Sequence, residues 1–151
     1  TSILYAMLLV MILGITGCNA KEERKTLNCT RNVTIEEGTS MELWYQVTYT
    51  GDFVEVIETE EKVISNNTDF LETFRDNVEK LYSPYKNVEH YDYDVQISGD
   101  TLTSKTRIDY SQIDTNQMLE IDSANESLIH DGKIKISDIK LMYESLGVTC
   151  K

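Results

Sequence analysis

With one proline, one tryptophan, two histidines and three cysteines in 151 residues, the chain is poor in the residue types that most often announce a linker or a reactive centre. One proline and no low-complexity tract exclude a proline-rich arm. His90 and His130 lie far apart in sequence, and neither has a companion at the spacing of a zinc-binding helix or finger, so no metal site is expected. No Gly-x-Ser-x-Gly turn marks a serine nucleophile, and the acidic stretch from Asp114 to Asp131 lacks the Asp-x-Asp-x-Asp-Gly order of a calcium loop. The reading is therefore of a non-enzymatic chain, with no catalytic residue and no cofactor. Basic residues are scarce as well, 14 against 26 acidic ones, which gives a net charge of −12. Binding phosphate requires clustered Lys and Arg, so nucleic acid is excluded as a partner.

What the chain does have comes first at its N-terminal end. An apolar stretch from Ile3 to Gly14 runs into Ile15, Thr16, Gly17 and Cys18, followed at once by Asn19, Ala20, Lys21, Glu22 and Glu23. About 15 apolar residues are too few for a membrane span of roughly 20, but they suit the h-region of a signal peptide. The chain opens at Thr1 without a methionine or a basic n-region, which reads as an N-terminally truncated signal segment. The Ile-Thr-Gly-Cys run resembles the lipobox of bacterial lipoprotein precursors. That resemblance implies cleavage between Gly17 and Cys18 and a diacylglyceryl group on the Cys18 thiol. Two acyl chains hold a protein stably at a bilayer where one holds it only marginally. The alternative is an unmodified cysteine at the end of an ordinary signal or a short anchor helix.

The expected organisation is thus a signal peptide over 1–17, a lipidated cysteine and charged flexible tether over 18–26, and one domain over 27–151. Its expected place is the extracytoplasmic face of a cell membrane, which it meets through the lipid on Cys18. All the charge lies beyond residue 17. An acidic surface keeps such a domain soluble among the anionic polymers of an envelope.

Once Cys18 is assigned to lipid, Cys29 and Cys150 remain, and an even remainder in an oxidising compartment suggests a disulfide between them. Closing so long a loop is worth about 5 kcal/mol in the chain-entropy model. Two free, buried thiols are the competing reading.

Hydropathy alternates with period two over Thr26–Ile35 and again over Met41–Tyr49, with Glu36–Ser40 as the turn, which predicts a hairpin. Gly51 and Asp52 make a second turn into a β-branched run, Phe53–Ile64, whose acidic middle (Glu58, Glu60, Glu61) reads as an exposed stretch with an unpaired edge. Phe70, Phe74, Val78, Leu81 and Tyr82 then recur at helical spacing, started by Asp69 with Glu72 three residues on, or equally by Thr68 or Asn67, and stopped before Pro84. A second hairpin follows, Tyr91–Ile97 and Leu102–Tyr110 around Ser98–Asp100. Residues 111–121 suit a short helix, and Asp122–Asp131 reads as a polar loop. Lys133–Ile136 is a short strand, Ser137 is the expected cap of a helix, Gly147 its left-handed stop, and Val148–Cys150 a last strand or tail. The fold class is α+β: a mostly antiparallel sheet with one long central helix and a C-terminal helix packed on one face.

The lipobox, the Leu-Asn-Cys-Thr opening, Val-Thr-Tyr-Thr-Gly-Asp-Phe-Val, Tyr-Asp-Tyr-Asp-Val and the closing Ile-Ser-Asp-Ile-Lys-Leu-Met-Tyr-Glu-Ser-Leu-Gly together resemble the YehR-like bacterial lipoproteins. The resemblance covers nearly all of the chain beyond the signal segment. It implies an α+β domain and brings no catalytic residues with it, and Cys150 lies outside its pattern.

Two functional classes follow. The first is a non-enzymatic binding or support domain that meets an envelope protein or another envelope component. Its one candidate contact is Trp44, which falls on the sheet face opposite Leu43 and Tyr45, either under a helix or on the surface. Aromatic anchors dominate interfaces when exposed. Tyr45, Tyr49, Tyr91, Tyr93 and Tyr110 are instead expected in the core. The alternative is a small cation-binding or hydrolytic envelope protein using the paired carboxylates of Asp92 and Asp94 or Glu58 and Glu60, whose simpler role is solvation of an exposed face.

Overall fold

The computed structural model describes residues 21–151. Cys18, Gly17 and the apolar run lie outside these residues. Among those described, no helix is long and apolar enough to cross a membrane.

Three long strands open the domain: β1 (Arg24–Glu36), β2 (Thr39–Thr50) and β3 (Phe53–Ser65). They form a meander because two-residue turns join them, Glu37-Gly38 and Gly51-Asp52, with Gly38 (φ 81°) and Gly51 (φ 57°) in the left-handed conformation that such turns need. β1 begins within the stretch assigned by composition to the tether, and Arg24 there pairs with Glu55 at 2.8 Å.

Helix α1 (Thr68–Tyr82) starts at Asn67, whose side chain accepts from the Phe70 N–H at 3.1 Å, and Pro84 converts its end into a 3-10 turn over Ser83–Tyr85. The second hairpin is β4 (Tyr91–Ser98) and β5 (Thr101–Asp109). Then come α2 (Thr115–Ile121), capped by Asp114, and a 3-10 segment, Ser123–Ser127, in what reads from sequence as loop. A miniature hairpin follows, β6 (Ile129–His130) and β7 (Lys133–Ile134), turned by Asp131 and Gly132, both at positive φ.

Helix α3 (Ile136–Ser145) corrects one expectation. Ser137 lies inside the helix and does not cap it; Lys135 occupies that position and makes no side-chain capping bond. Gly147 (φ 75°) ends the helix, with its N–H on the Glu144 carbonyl and that of Val148 on the Tyr143 carbonyl. This reversal delivers β8 (Thr149–Cys150) to β1.

The main sheet is antiparallel in the order β4-β5-β3-β2-β1-β8. β3 is therefore central, not an edge, because β5 pairs along it from Val56 to Ile64. Its acidic middle tolerates this position because Lys105 and Arg107 of β5 stand opposite Glu60 and Glu58. The edges are β4 and the β1–β8 side.

One sheet face is apolar and carries the helices. α3 and the loops around it pack Ile136, Ile139 and Tyr143 over Leu27, Cys29 and Val47, while α1 sets Leu71, Phe70 and Phe74 over Val63, Leu102, Val95 and Ile97. The α+β class holds in this coarser form: helical residues are shared among three helices, the longest being the 15 residues of α1.

Candidate functional site

The disulfide joins Cys29 of β1 to Cys150 of β8, directly opposite each other with Cα atoms 4.0 Å apart. The adjacent pair, Asn28 and Lys151, exchanges two backbone hydrogen bonds of 3.0 and 2.8 Å. Bond and ladder together fasten the end of the described chain to the sheet edge. Cys29 is wholly buried.

On the sheet face away from the helices, side chains stand in cross-strand rows. One row reads Thr30, Trp44, Glu60, Lys105, Asp94, and the next reads Asn28, Gln46, Glu58, Arg107, Asp92. Trp44 is 36% exposed, so of its two expected placements the surface is the observed one. Beside it a shallow concavity, about 370 Å³, is lined by Trp44, Glu58, Glu60, Lys105, Arg107 and Asp94. Its floor is the sheet itself.

The charges of this face run in columns along the strands. Lys105 meets Glu60 at 3.2 Å, Arg107 meets Glu58 at 3.3 Å, and Lys62 adds a second contact to Glu60 at 3.1 Å. Hydrogen bonds from Lys62 first and Lys105 next hold the Glu60 carboxyl below its ordinary range. Glu58 and Glu60 thus have resident cations. The β4 column, Asp92 and Asp94, is in no ion pair among the described residues, and Asp94 accepts only from Gln96 at 2.6 Å.

No group of three or more His, Cys, Asp or Glu side chains converges among the described residues. His90 precedes β4 at positive φ and His130 sits in β6, so the two histidines stand on separate elements, and among the described residues neither forms such a group with the paired carboxylates. At the end of β5, Asp109 is 7% exposed and is held by Ser111 through N–H and Oγ (3.1 and 2.5 Å) and by Gln112 at 3.1 Å. Burial pushes its carboxyl up, but these donors outweigh it and leave the group below its usual value. This is a strand-end brace.

Glu61 is the residue that composition misplaces. It shares the helix-covered face with Thr59 and Val63, half-buried, and its Oε1 accepts from the Tyr45 hydroxyl at 3.2 Å. Burial raises the Glu61 carboxyl above its ordinary value; burial first and the Glu61 charge second raise the Tyr45 phenol. Thr59 and Thr106 share a hydrogen bond beside it, making a polar seam between the two apolar clusters. In sequence only the shared parity of Ile57 and Val63 hints at this, because Thr59 and Glu61 between them are as polar as their neighbours. The five tyrosines expected in the core pack in or against it, with Tyr45 stacked on Tyr143 at 4.8 Å and Tyr91 on Tyr85 at 4.5 Å. Burial pushes the Tyr110 phenol up to about 12.

No protein-family model matches the chain, and no curated protein does. Solved structures do. The NMR structure of the E. coli YehR protein superposes with a TM-score of 0.58 at 18% identity, over 85% of this chain and 91% of that one. The fold is YehR-like. The NMR structure of a Streptococcus pneumoniae TIGR4 protein matches with a TM-score of 0.51 at 14% identity, over 87% of each chain. Identity this low carries the YehR-like architecture across and nothing about chemistry.

Proposed function

We propose that this chain is a YehR-like bacterial lipoprotein, a non-enzymatic binding domain leashed to the extracytoplasmic face of the cell membrane by a diacylglyceryl group on Cys18. In this reading residues 1–17 are the signal peptide, cut between Gly17 and Cys18, and the partner is an envelope protein or another envelope component. The Thr-Gly-Cys ending of the apolar run supports the tether. The disulfide supports an oxidising compartment.

The observation that carries the binding role is Trp44. A large aromatic ring stands on the sheet face opposite the described helices, at the rim of a shallow concavity floored by ion-paired side chains. A flat, preformed surface with one aromatic anchor suits a macromolecular contact better than a small substrate, which needs an enclosing cleft. Glu58 and Glu60 already hold Lys and Arg, which leaves them poorly disposed as cation ligands or as an acid-base pair.

The test is affinity capture from envelope extracts with the tethered chain and its Trp44→Ala variant, read by mass spectrometry. A partner enriched by the parent and lost with the variant is expected, since central aromatic anchors contribute about 2 kcal/mol or more. Equal recovery of every partner by both would sink the role of this face.

A further inference from the structure

We infer that the free edge of β4 is a docking strand for an extended polypeptide that alternates cationic and apolar residues. The inference goes beyond the reading above and needs neither the lipid nor Trp44.

The backbone supplies half of the argument. Asp109 N–H donates to the His90 carbonyl at 3.0 Å, which fixes the phase of the β4–β5 ladder. In an antiparallel pair, hydrogen-bonded and non-hydrogen-bonded residues alternate. Asp92, Asp94 and Gln96 therefore spend their N–H and C=O groups on Arg107, Lys105 and Thr103. Tyr93, Val95 and Ile97 direct theirs outward, and among the described residues nothing hydrogen-bonds to those three amides. An incoming antiparallel strand would pair at these three positions.

Side-chain chemistry supplies the rest. Across the open face the columns read acidic on β3 (Glu58, Glu60), cationic on β5 (Lys105, Arg107) and acidic on β4 (Asp92, Asp94). The cations reach β3, at 3.3 and 3.2 Å, and the exposed β4 carboxylates are in no ion pair among the described residues. Residues directly opposite in neighbouring strands share a face. A strand added outside β4 thus sets its residues opposite Asp92 and Asp94 on the acidic column, where Lys or Arg fits. Its residues opposite Tyr93, Val95 and Ile97 fall on the helix side, beside an apolar cluster. Read antiparallel from the position opposite Ile97, the sequence sought is apolar-polar-apolar-cation-apolar-cation, with Gln96 facing the polar residue and the same cation spacing that β5 presents as Lys105-Thr106-Arg107 on the inner side.

The same charges disfavour a second copy of this strand. Antiparallel self-pairing of β4 centred on Tyr93 sets Asp92 against the other copy's Asp94, a like-charge arrangement that discourages edge-to-edge association in that register.

The probe is the peptide acetyl-Ile-Thr-Val-Lys-Ile-Arg-amide, whose residues fall in order opposite Ile97, Gln96, Val95, Asp94, Tyr93 and Asp92, with the full chain held disulfide-bonded in neutral detergent. Saturable binding is expected by fluorescence anisotropy, with amide exchange slowed at Tyr93, Val95 and Ile97. The double variant Asp92→Lys, Asp94→Lys changes only exposed side chains and is expected to lose affinity about tenfold or more. Methylating the valine amide of the peptide removes a ladder donor and should abolish binding, whereas methylating the arginine amide, which points away from β4, should not. No binding overturns the inference. So does binding that leaves the three edge amides unprotected, that survives the charge reversal, or that is indifferent to which amide is methylated, since each means simple adsorption to an acidic protein. Protection of the same amides by self-association without peptide overturns the choice of occupant. Trp44→Ala binds the peptide unchanged if the inference holds, whatever becomes of the face around the tryptophan.

Discussion

The Tyr45 hydroxyl donates to Glu61 across 3.2 Å on the helix-covered side of the sheet, while the neighbouring Glu60 reaches Lys105 and Lys62 on the open side. Consecutive carboxylates on one strand therefore carry opposite perturbations. Burial raises Glu61, and hydrogen bonds from Lys62 and Lys105 lower Glu60. The period-two geometry of a strand is the whole cause: one position along the chain is one face across the sheet.

Glu61 should make the domain less stable as pH rises. Its folded carboxyl holds a proton that the unfolded chain releases, so stability falls as pH climbs from the ordinary glutamate value through the raised folded value. Glu61→Gln keeps an acceptor for Tyr45 and has no charge to desolvate. The variant should be more stable than the parent at neutral pH, by about 1 kcal/mol, with the gap closing in acid. Urea midpoints of both proteins across the acid-to-neutral range check this. A gap that widens on acidification would show Glu61 stabilising as an anion.

Much of this architecture was legible because period and turn chemistry agree. Alternation in β1, β2, β4 and β5, helical spacing in α1, and Gly147 at the end of α3 each name their element without tertiary help. The central position of β3 was not legible, because acidity was read as exposure. Lys62 is a local partner of Glu60, but Arg107 on Glu58 and Lys105 on Glu60 lie more than forty positions away in sequence, on β5, and strand pairing at that distance leaves no local mark. The phase of β3 was hidden too. Thr48 pairs with Val56 but Tyr49 pairs with Val54, so Glu55 is an extra residue that puts Val54 and Ile57 on one face three positions apart. The Glu55 carbonyl uses this freedom to accept from Tyr110 at 2.7 Å. Ser137 failed as a cap because Ile136, bonded to the Asp52 carbonyl at 2.9 Å, starts the helix two residues earlier than a Ser137 cap would. Of the candidate surface, Trp44 was legible as the one aromatic out of phase in β2, whereas the bare amides of β4 depend on strand order and were not.

On the proposed anchoring, removal of the Cys18 thiol should detach the protein without unfolding it. Cys18 precedes every described element, and the core is assembled from Leu27 onward, so Cys18→Ala leaves the packing untouched. Two acyl chains are enough for stable anchoring and their loss leaves an acidic chain with no attraction to anionic lipid. Fractionation should move the variant from membrane to soluble fractions with an unchanged melting temperature. A variant that remains with the membrane would count against the thiol as the anchor.

The disulfide should be the largest single contribution to stability that one substitution can remove. Its sulfurs join residues separated by 121 positions, a closure worth about 5 kcal/mol by chain entropy and commonly 2–5 kcal/mol when removed from small exported domains. Cys150→Ser also frees β8, a two-residue strand held otherwise by the Asn28–Lys151 ladder and by the tight turn at Gly147. The hydroxyl is then left against the buried Cys29 thiol. Loss should therefore fall within or near that 2–5 kcal/mol range in urea denaturation, and dithiothreitol should bring the parent to the same midpoint. The two arms differ in what they report. A matching drop in both assigns the effect to the covalent bond, whereas a drop in the variant alone assigns it to the buried hydroxyl, and no drop in either means that the β1–β8 edge contributes nothing to the folded state that the sheet does not already hold.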